Sequence, residues 1–387
     1  MADNLVESDI EFVRDVARLG GGSLKKCFQC ATCSVVCSLS SDEKPFPRKE
    51  MIWAQWGLKD RLLSDPDVWR CYQCGDCSVY CPRGAKPGEV MGAIRNYSFK
   101  SYAFPRFMGR LLSSPRYLPL LFAIPGVLFL IVLQHMEALS TVPSGPIAFT
   151  RFDNYVDLIF VTVSILVLLA TGTGVLKFWK GMDRNNVRGD GYGRIGIGSS
   201  VFLAAKEVLT HNNFKKCDAN NIRYLGHLSI FYGFAALFIV TSIVFIGLRV
   251  FHMDLPMDQT NPIKVLGNLG AVTLIAGCSI AVYNRLGRKE QSGESHYYDW
   301  FFLSVLSLIG VTGLLTEVVR LSGNAAAAYW SYFVHLVFVF SLIAYFPYSK
   351  FAHLIYRFVA IVYARYAGLD EPAEEMVSGK MGTKSVA

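Results

Sequence analysis

The chain has 387 residues, 52% hydrophobic and only 18% charged, against about 25% charged for an average soluble protein. With a mean hydropathy of +0.33, this excludes an ordinary water-soluble enzyme and a disordered chain. The net charge of +8 could suit nucleic acid, but in an apolar chain the placement of Lys and Arg matters more than their sum. No nucleic-acid partner is expected; membrane lipid is.

The first dozen residues, MADNLVESDIEF, are acidic and lack an apolar core, so no secretory signal is expected. Residues 1–110 read as a soluble domain that contains eight of the ten cysteines. They fall into two motifs, Cys27-x2-Cys30-x2-Cys33-x3-Cys37 and Cys71-x2-Cys74-x2-Cys77-x3-Cys81-Pro82. Three thiolates with two residues between each can wrap one face of a cubane, and the fourth reaches the neighbouring one, as in two-cluster ferredoxins. The expected ligand sets are therefore crossed: Cys27, Cys30, Cys33 and Cys81 for the first [4Fe-4S] cluster, and Cys71, Cys74, Cys77 and Cys37 for the second. Zinc also uses C-x2-C pairs, but two pairs per zinc give no reason for the third and fourth cysteines at identical spacing twice. Ser38 stands where the second motif has Pro82, which weakens a turn and removes no ligand. Between the motifs, Arg48 to Leu58 reads as a helix stopped by Gly57, an insert that suits a helical ferredoxin.

Hydrophobic spans begin after Pro115, at about 117–139, 155–178, 223–249, 263–285, 298–321 and 329–349. Each is long enough to cross ~30 Å of hydrocarbon at ~1.5 Å per residue. Pro119 and Pro125 are expected to kink the first span rather than abolish it. The fold expected is all-α: a helical two-cluster ferredoxin domain at 1–110, a six-helix transmembrane cytochrome b bundle at 111–366, and a polar tail at 367–387. Nine basic residues in 177–223 and three in 285–296 place both termini and the cysteine domain in the cytoplasm, on the inner membrane. There, metal ligation is favoured over disulfides.

Histidine inside a bilayer is costly and marks function. His335 and His353 are 18 residues apart, which on one continuous helix is five whole turns, about 27 Å. His227 matches His353 in depth, so a bis-histidine haem b joining them is the economical reading, against that of an interfacial histidine bonded to a carbonyl. His335 is the candidate ligand of an outer haem whose second ligand is unassigned. His211, Lys264 and Glu317 are candidates for a quinone pocket; the bland reading of Glu317 is an i,i+3 ion pair with Arg320. Cys217 reads as a buried structural residue that could border the same pocket, and Cys278 reads as packing. Gly191-x-Gly193-x-x-Gly196 follows no apolar strand and carries no dinucleotide reading. Residues 199–210 read as an amphipathic surface helix.

The stretch from His335 through Tyr345-Phe346-Pro347-Tyr348-Ser349-Lys350 to His353 resembles the last haem helix of respiratory nitrate reductase γ subunits. His227-Leu-Ser-Ile-Phe-Tyr-Gly-Phe resembles that family's first haem helix, with Leu237 at its second histidine position. CFQCATC, FPRKEMIWAQWGL and CYQCGDCSVYCPRGAKPGEV resemble the small iron–sulfur subunit of heterodisulfide reductases. The fusion resembles the C subunits of the quinone-interacting membrane-bound oxidoreductase complexes of sulfate reducers. That resemblance implies electron transfer from menaquinol to two cytoplasmic flavin and iron–sulfur subunits that serve adenylylsulfate reductase. The competing readings are a membrane subunit of a heterodisulfide-reductase or sulfite-reduction complex, and a passive anchor with relay clusters.

Overall fold

The computed structural model describes residues 7–42, 44–135, 147, 149, 153–185, 195–211, 221–287 and 294–369. Gly191, Gly193, Cys217 and the tail beyond Leu369 lie outside the described residues. Those described form helices and no β-strand. The fold is all-α.

Eight short or medium helices come first: α1 (Ile10–Val16), α2 (Thr32–Val35), α3 (Arg48–Gln55), α4 (Lys59–Leu63), α5 (Pro66–Arg70), α6 (Asp76–Val79), α7 (Pro87–Tyr102) and α8 (Arg106–Leu112). Side-chain caps explain where several begin. The Asp9 carboxylate accepts from the Phe12 amide at 2.8 Å at the start of α1, and Asp65 caps α5 with Pro66 in its first turn. The expected helix over the insert is α3, and its stop is Gly57, at φ +69°. A Cβ there would lie 2.8 Å from the Asp9 carbonyl oxygen.

The remaining helices are α9 (Leu118–His135), α10 (Asp153–Asn185), α11 (Ile197–Thr210), α12 (Asn221–Val250), α13 (Pro262–Gly287), α14 (Tyr297–Leu321), α15 (Ala325–Ala344) and α16 (His353–Tyr366). Among the described residues, six helices are long and apolar enough to cross a membrane: α9, α10, α12, α13, α14 and α15. They carry large apolar side chains outward, Leu168, Phe238 and Val318 among them, as lipid-facing helices do. The chain is a multi-pass membrane protein. Pro125 sits inside α9 without ending it.

The chain divides into two compact units, one of Met1–Tyr102, Gly172–Asp218 and Ala352–Ala387, the other of Ala103–Thr171 and Ala219–Phe351. In the first, Trp69 of α5 stacks on Tyr356 of α16 at 4.9 Å and meets Phe99 and Phe178 edge-on at 5.6 and 6.2 Å. This core joins the cysteine segments to helices from the middle and the end of the chain. Arg365 of α16 pairs with Glu207 of α11 at 2.6 Å. In the second unit, α12 and α13 pack backbone to backbone. A Cβ on Gly233 would lie 2.7 Å from the Leu274 nitrogen, and one on Gly277 2.7 Å from the Ile230 nitrogen. Small residues allow such an approach where no water is present to drive association.

One expectation is corrected here. His335 and His353 do not share a helix. α15 ends at Ala344, two 3₁₀ turns follow at Phe346–Tyr348 and Lys350–Ala352, and α16 starts at His353. Pro347 has no amide hydrogen to continue the ladder. The Tyr345 hydroxyl donates to the Leu121 carbonyl at 2.6 Å and the Tyr348 hydroxyl to the Phe104 carbonyl at 2.7 Å, while Lys350 pairs with Asp299. The five-turn registry therefore does not apply, and the last span ends short of 349.

Candidate metal centre

Both cysteine motifs fold alike. In each, the residue before the third cysteine's short helix is left-handed, Ala31 at φ 69° and Gly75 at φ 100°, as is the glutamine two residues earlier, Gln29 at 61° and Gln73 at 52°. These turns bend the chain back between the cysteines of each motif. Gly75 suits such a turn; Ala31 adopts it despite its Cβ, at a cost of about 1 kcal/mol. Cys33 and Cys77 are buried within α2 and α6, whereas Cys30 is exposed.

The cysteines gather across the motifs. Cys37 lines one cavity together with Cys71, Cys74 and Cys77, walled by Phe46, Pro47 and Met91. Its volume is about 410 Å³ including the open mouth. Burial pushes the Cys33 thiol up to about 11 and the Cys37 thiol up to about 12, and raises Cys77 as well. After burial, the groups raising Cys33 are Cys27, Cys30 and Cys81, and those raising Cys37 are Cys71 and Cys74. Thiols so placed become thiolates only when a cation takes them. Four soft sulfur donors around one hollow suit an iron–sulfur cluster.

Amide donors already reach three of the sulfurs. Gln29 Nε2 donates to Cys27 Sγ at 3.3 Å, the Gln73 amide to Cys71 Sγ at 3.4 Å and the Ala85 amide to Cys81 Sγ at 3.3 Å. The two loops are then held from outside by different chemistry. Gln55 at the end of α3 donates through Nε2 to the carbonyls of Leu24 and Cys27 at 3.2 and 3.0 Å. On the second loop, Arg95 of α7 donates to the Cys71 carbonyl at 3.2 Å and to Gln73 Oε1 at 2.8 Å. Arg357 of α16 donates to the Trp69 and Cys71 carbonyls at 3.3 and 3.1 Å, with its guanidinium 4.7 Å from the centre of the Tyr72 ring. Sequence reasoning missed Gln55, Arg95 and Arg357. A visible signal existed for the last, a lone cation among apolar residues in HLIYRFVAIV.

The other expected site residues are placed as follows. His227 lies on α12 in the second unit, and His353 is the first residue of α16 in the first. His335 lies on α15, its Nδ1 3.0 Å from the Thr312 hydroxyl and its ring against Gly313. Glu317 pairs with Lys264 at 2.6 Å and Arg320 at 2.9 Å, and accepts from Gln259 at 2.7 Å. His211 is the left-handed residue closing α11, buried in the first unit, and burial lowers its basicity. Lys264 and Glu317 thus meet, while His211 belongs to the other unit. A cluster not anticipated at all is Glu50, Asp65 and Asp67 around Lys49, all three carboxylates buried.

A 4Fe-4S dicluster domain family matches residues 23–85. The C subunits of the H(2):CoB-CoM heterodisulfide,ferredoxin reductases of Methanothermobacter marburgensis and Methanothermobacter thermautotrophicus are 39% identical over 94 residues, 24% of this chain and 50% of each relative. The chain thus spans about half the length of these curated relatives. The E subunit of the dihydromethanophenazine:CoB–CoM heterodisulfide reductase of Methanosarcina thermophila is 25% identical over 194 residues, 46% of this chain and 69% of that protein. No solved structure matches. The chain is a membrane-associated redox subunit. It fuses an iron–sulfur domain, homologous to the C subunits of heterodisulfide reductases, to a bundle of membrane-length helices.

Proposed function

We propose that this chain is the membrane-embedded electron-carrying subunit of a heterodisulfide-reductase-type complex, loaded with two crossed [4Fe-4S] clusters. The observation that carries the reading is the cavity shared by Cys37 and the three cysteines of the other motif. When bound, each cluster takes up and gives back one electron at a time. The chain's own residues bury Cys33, Cys71 and Cys77, donate hydrogen bonds to the sulfurs of Cys27 and Cys81 and leave Cys30 at the surface, where soluble subunits of the complex can approach. Protein purified anaerobically should hold about eight non-haem irons and show two reducible EPR signals; iron at trace level, with zinc in its place, would overturn the reading.

The membrane half takes electrons from a reduced carrier dissolved in the bilayer. One relative is named for dihydromethanophenazine; menaquinol is the carrier implied by the sequence resemblance. Haem b, held by His227 and His353, would supply a one-electron site within the bilayer. Imidazole suits iron, so each of these side chains has the chemistry of a haem ligand. The passive-anchor alternative is separated by spectroscopy. On the haem reading, His227→Ala and His353→Ala each remove a low-spin haem band while the cluster signals stay. A wild-type protein without any haem band, whose clusters no reduced quinone or phenazine reduces, would leave the anchor reading in its place. A cytoplasmic iron–sulfur domain is likewise proposed, from the basic residues flanking the spans. Adenylylsulfate reductase as the enzyme served rests on the sequence resemblance; the relatives favour heterodisulfide-type partners.

A further inference from the structure

The two cysteine loops are built alike yet braced differently. The carbonyl of Cys27 takes a hydrogen bond from a neutral amide, Gln55, at 3.0 Å. The carbonyl of Cys71, at the equivalent place in the second motif, takes two from guanidinium groups, Arg95 at 3.2 Å and Arg357 at 3.1 Å. Guanidinium stays protonated throughout the range in which proteins fold, so two full positive charges stand one peptide group from a ligand sulfur. Adding an electron makes a cluster more negative. A fixed positive charge close by stabilises the reduced form more than the oxidised one, and partial burial keeps water from screening the effect.

From this contrast we infer that Arg95 and Arg357 act as positioning residues that set the midpoint potential of the centre held by Cys37, Cys71, Cys74 and Cys77 above that of the centre held by Cys27, Cys30, Cys33 and Cys81. The inference rests on the cluster reading above and deepens it. The second centre is then the electron sink of the domain, and the first, with its exposed Cys30, is the one reduced last. Three other charges bear on the comparison. Asp76 lines the second centre's cavity, but a single carboxylate opposes two guanidinium groups. Arg48 acts on Cys30, but that thiol is exposed and water screens the pair. Glu207 faces Arg357, but its carboxylate is engaged by Arg365 at 2.6 Å. Arg357 has a further consequence of place: it lies one turn beyond His353 on α16, so the helix that carries the candidate haem ligand is the one pinned to the Cys71 loop.

The test is a potentiometric titration of the full-length protein, purified anaerobically in detergent and followed by EPR. Two reduction steps are expected in the wild type. Cys77→Ala should remove the higher one, which identifies it. Arg357→Gln and Arg95→Gln should each move the higher step to lower potential and leave the lower step in place. Arg357→Lys, which keeps the charge and loses the fork, should leave the higher step near its wild-type potential. Gln55→Leu should leave the higher step unmoved. Both steps unchanged in the two Arg→Gln variants, or a lower step removed by Cys77→Ala, would overturn the inference while leaving the cluster reading intact. Should Arg357→Gln lose its iron outright, Arg95→Gln on the separate helix α7 supplies the same measurement. If both lose it and Arg357→Lys leaves the higher step displaced, the arginines only hold the loop, which also overturns the inference. A wild-type protein without iron refutes the cluster reading itself.

Discussion

Cys37 of the first motif and Cys71 of the second line the same cavity, 34 residues apart in sequence. The fourth cysteine of each motif is therefore expected to serve the other motif's centre. Cys37→Ser should abolish the EPR signal of the centre that Cys77→Ala abolishes, and Cys81→Ser should abolish that of Cys33→Ser. Iron content in each variant should fall to about half. The crossed assignment is falsified if Cys81→Ser matches Cys77→Ala instead.

Gly57 stops α3 in a conformation that side chains resist, φ +69°, under the backbone of Asp9. The Asp9 amide donates to the Gly57 carbonyl at 3.0 Å, and the Asp9 carboxylate meets Lys59 at 3.1 Å. Gly57→Ala adds both a left-handed alanine, costing about 1–2 kcal/mol, and a Cβ overlapping the Asp9 oxygen. The variant should melt at lower temperature than the wild type in detergent. Asn, which tolerates the left-handed region better, should still fail to restore stability, because the overlap remains.

What was legible in the sequence was whatever is local. Cysteines three and four residues apart constrain the turns between them, and runs of twenty apolar residues form membrane-length helices whatever their neighbours do. Gly57 could be read as a stop because left-handed glycine is a one-residue requirement. Two of the misses show why the rest was hidden. His335 and His353 fit five turns numerically, but Pro347 and the tyrosines anchored at Leu121 and Phe104 end the helix between them. Arg357 could not be assigned because its carbonyl partners, on Trp69 and Cys71, lie 288 and 286 residues away. Nothing in the spacing of either segment reports that meeting.

Gly233 and Gly277 set the distance between α12 and α13. A side chain on either meets backbone nitrogen at 2.7 Å on the opposite helix, and backbone cannot rotate away as a side chain can. Gly277→Val should force the helices apart and cost about 1–3 kcal/mol, the usual range for overpacking. A disulfide-trapping pair placed along α12 and α13 should form quickly in the wild type and slowly in the variant. Gly126→Ala, on α9 with nothing within 4 Å of the new Cβ, is the control that should melt with the wild type.

Glu50 is fully buried, with Asp65 and Asp67 beside it and Lys49 as the cation at 3.0 Å. Burial first, and then the negative charge of Asp65, hold its carboxyl well above the ordinary carboxylate range, which Lys49 offsets only in part. The folded state therefore binds this proton more tightly than the unfolded chain does. The sign follows from linkage: the stability this group contributes is fully present below its unfolded pKa and is lost as pH rises through the raised folded value. Asp67 runs the opposite way, held low by Arg70 at 2.9 Å and by Lys49 against the effect of its burial. Glu50→Gln keeps the shape of the protonated acid and removes its titration. Melting temperatures taken from mildly acidic to mildly alkaline pH should fall with pH in the wild type and fall less in Glu50→Gln, with the two curves converging at the acidic end. Lys49→Met should do the reverse, steepening the fall, because the one cation that opposes protonation is gone. Parallel wild-type and Glu50→Gln curves would mean that the Glu50 proton is not bound more tightly in the folded state.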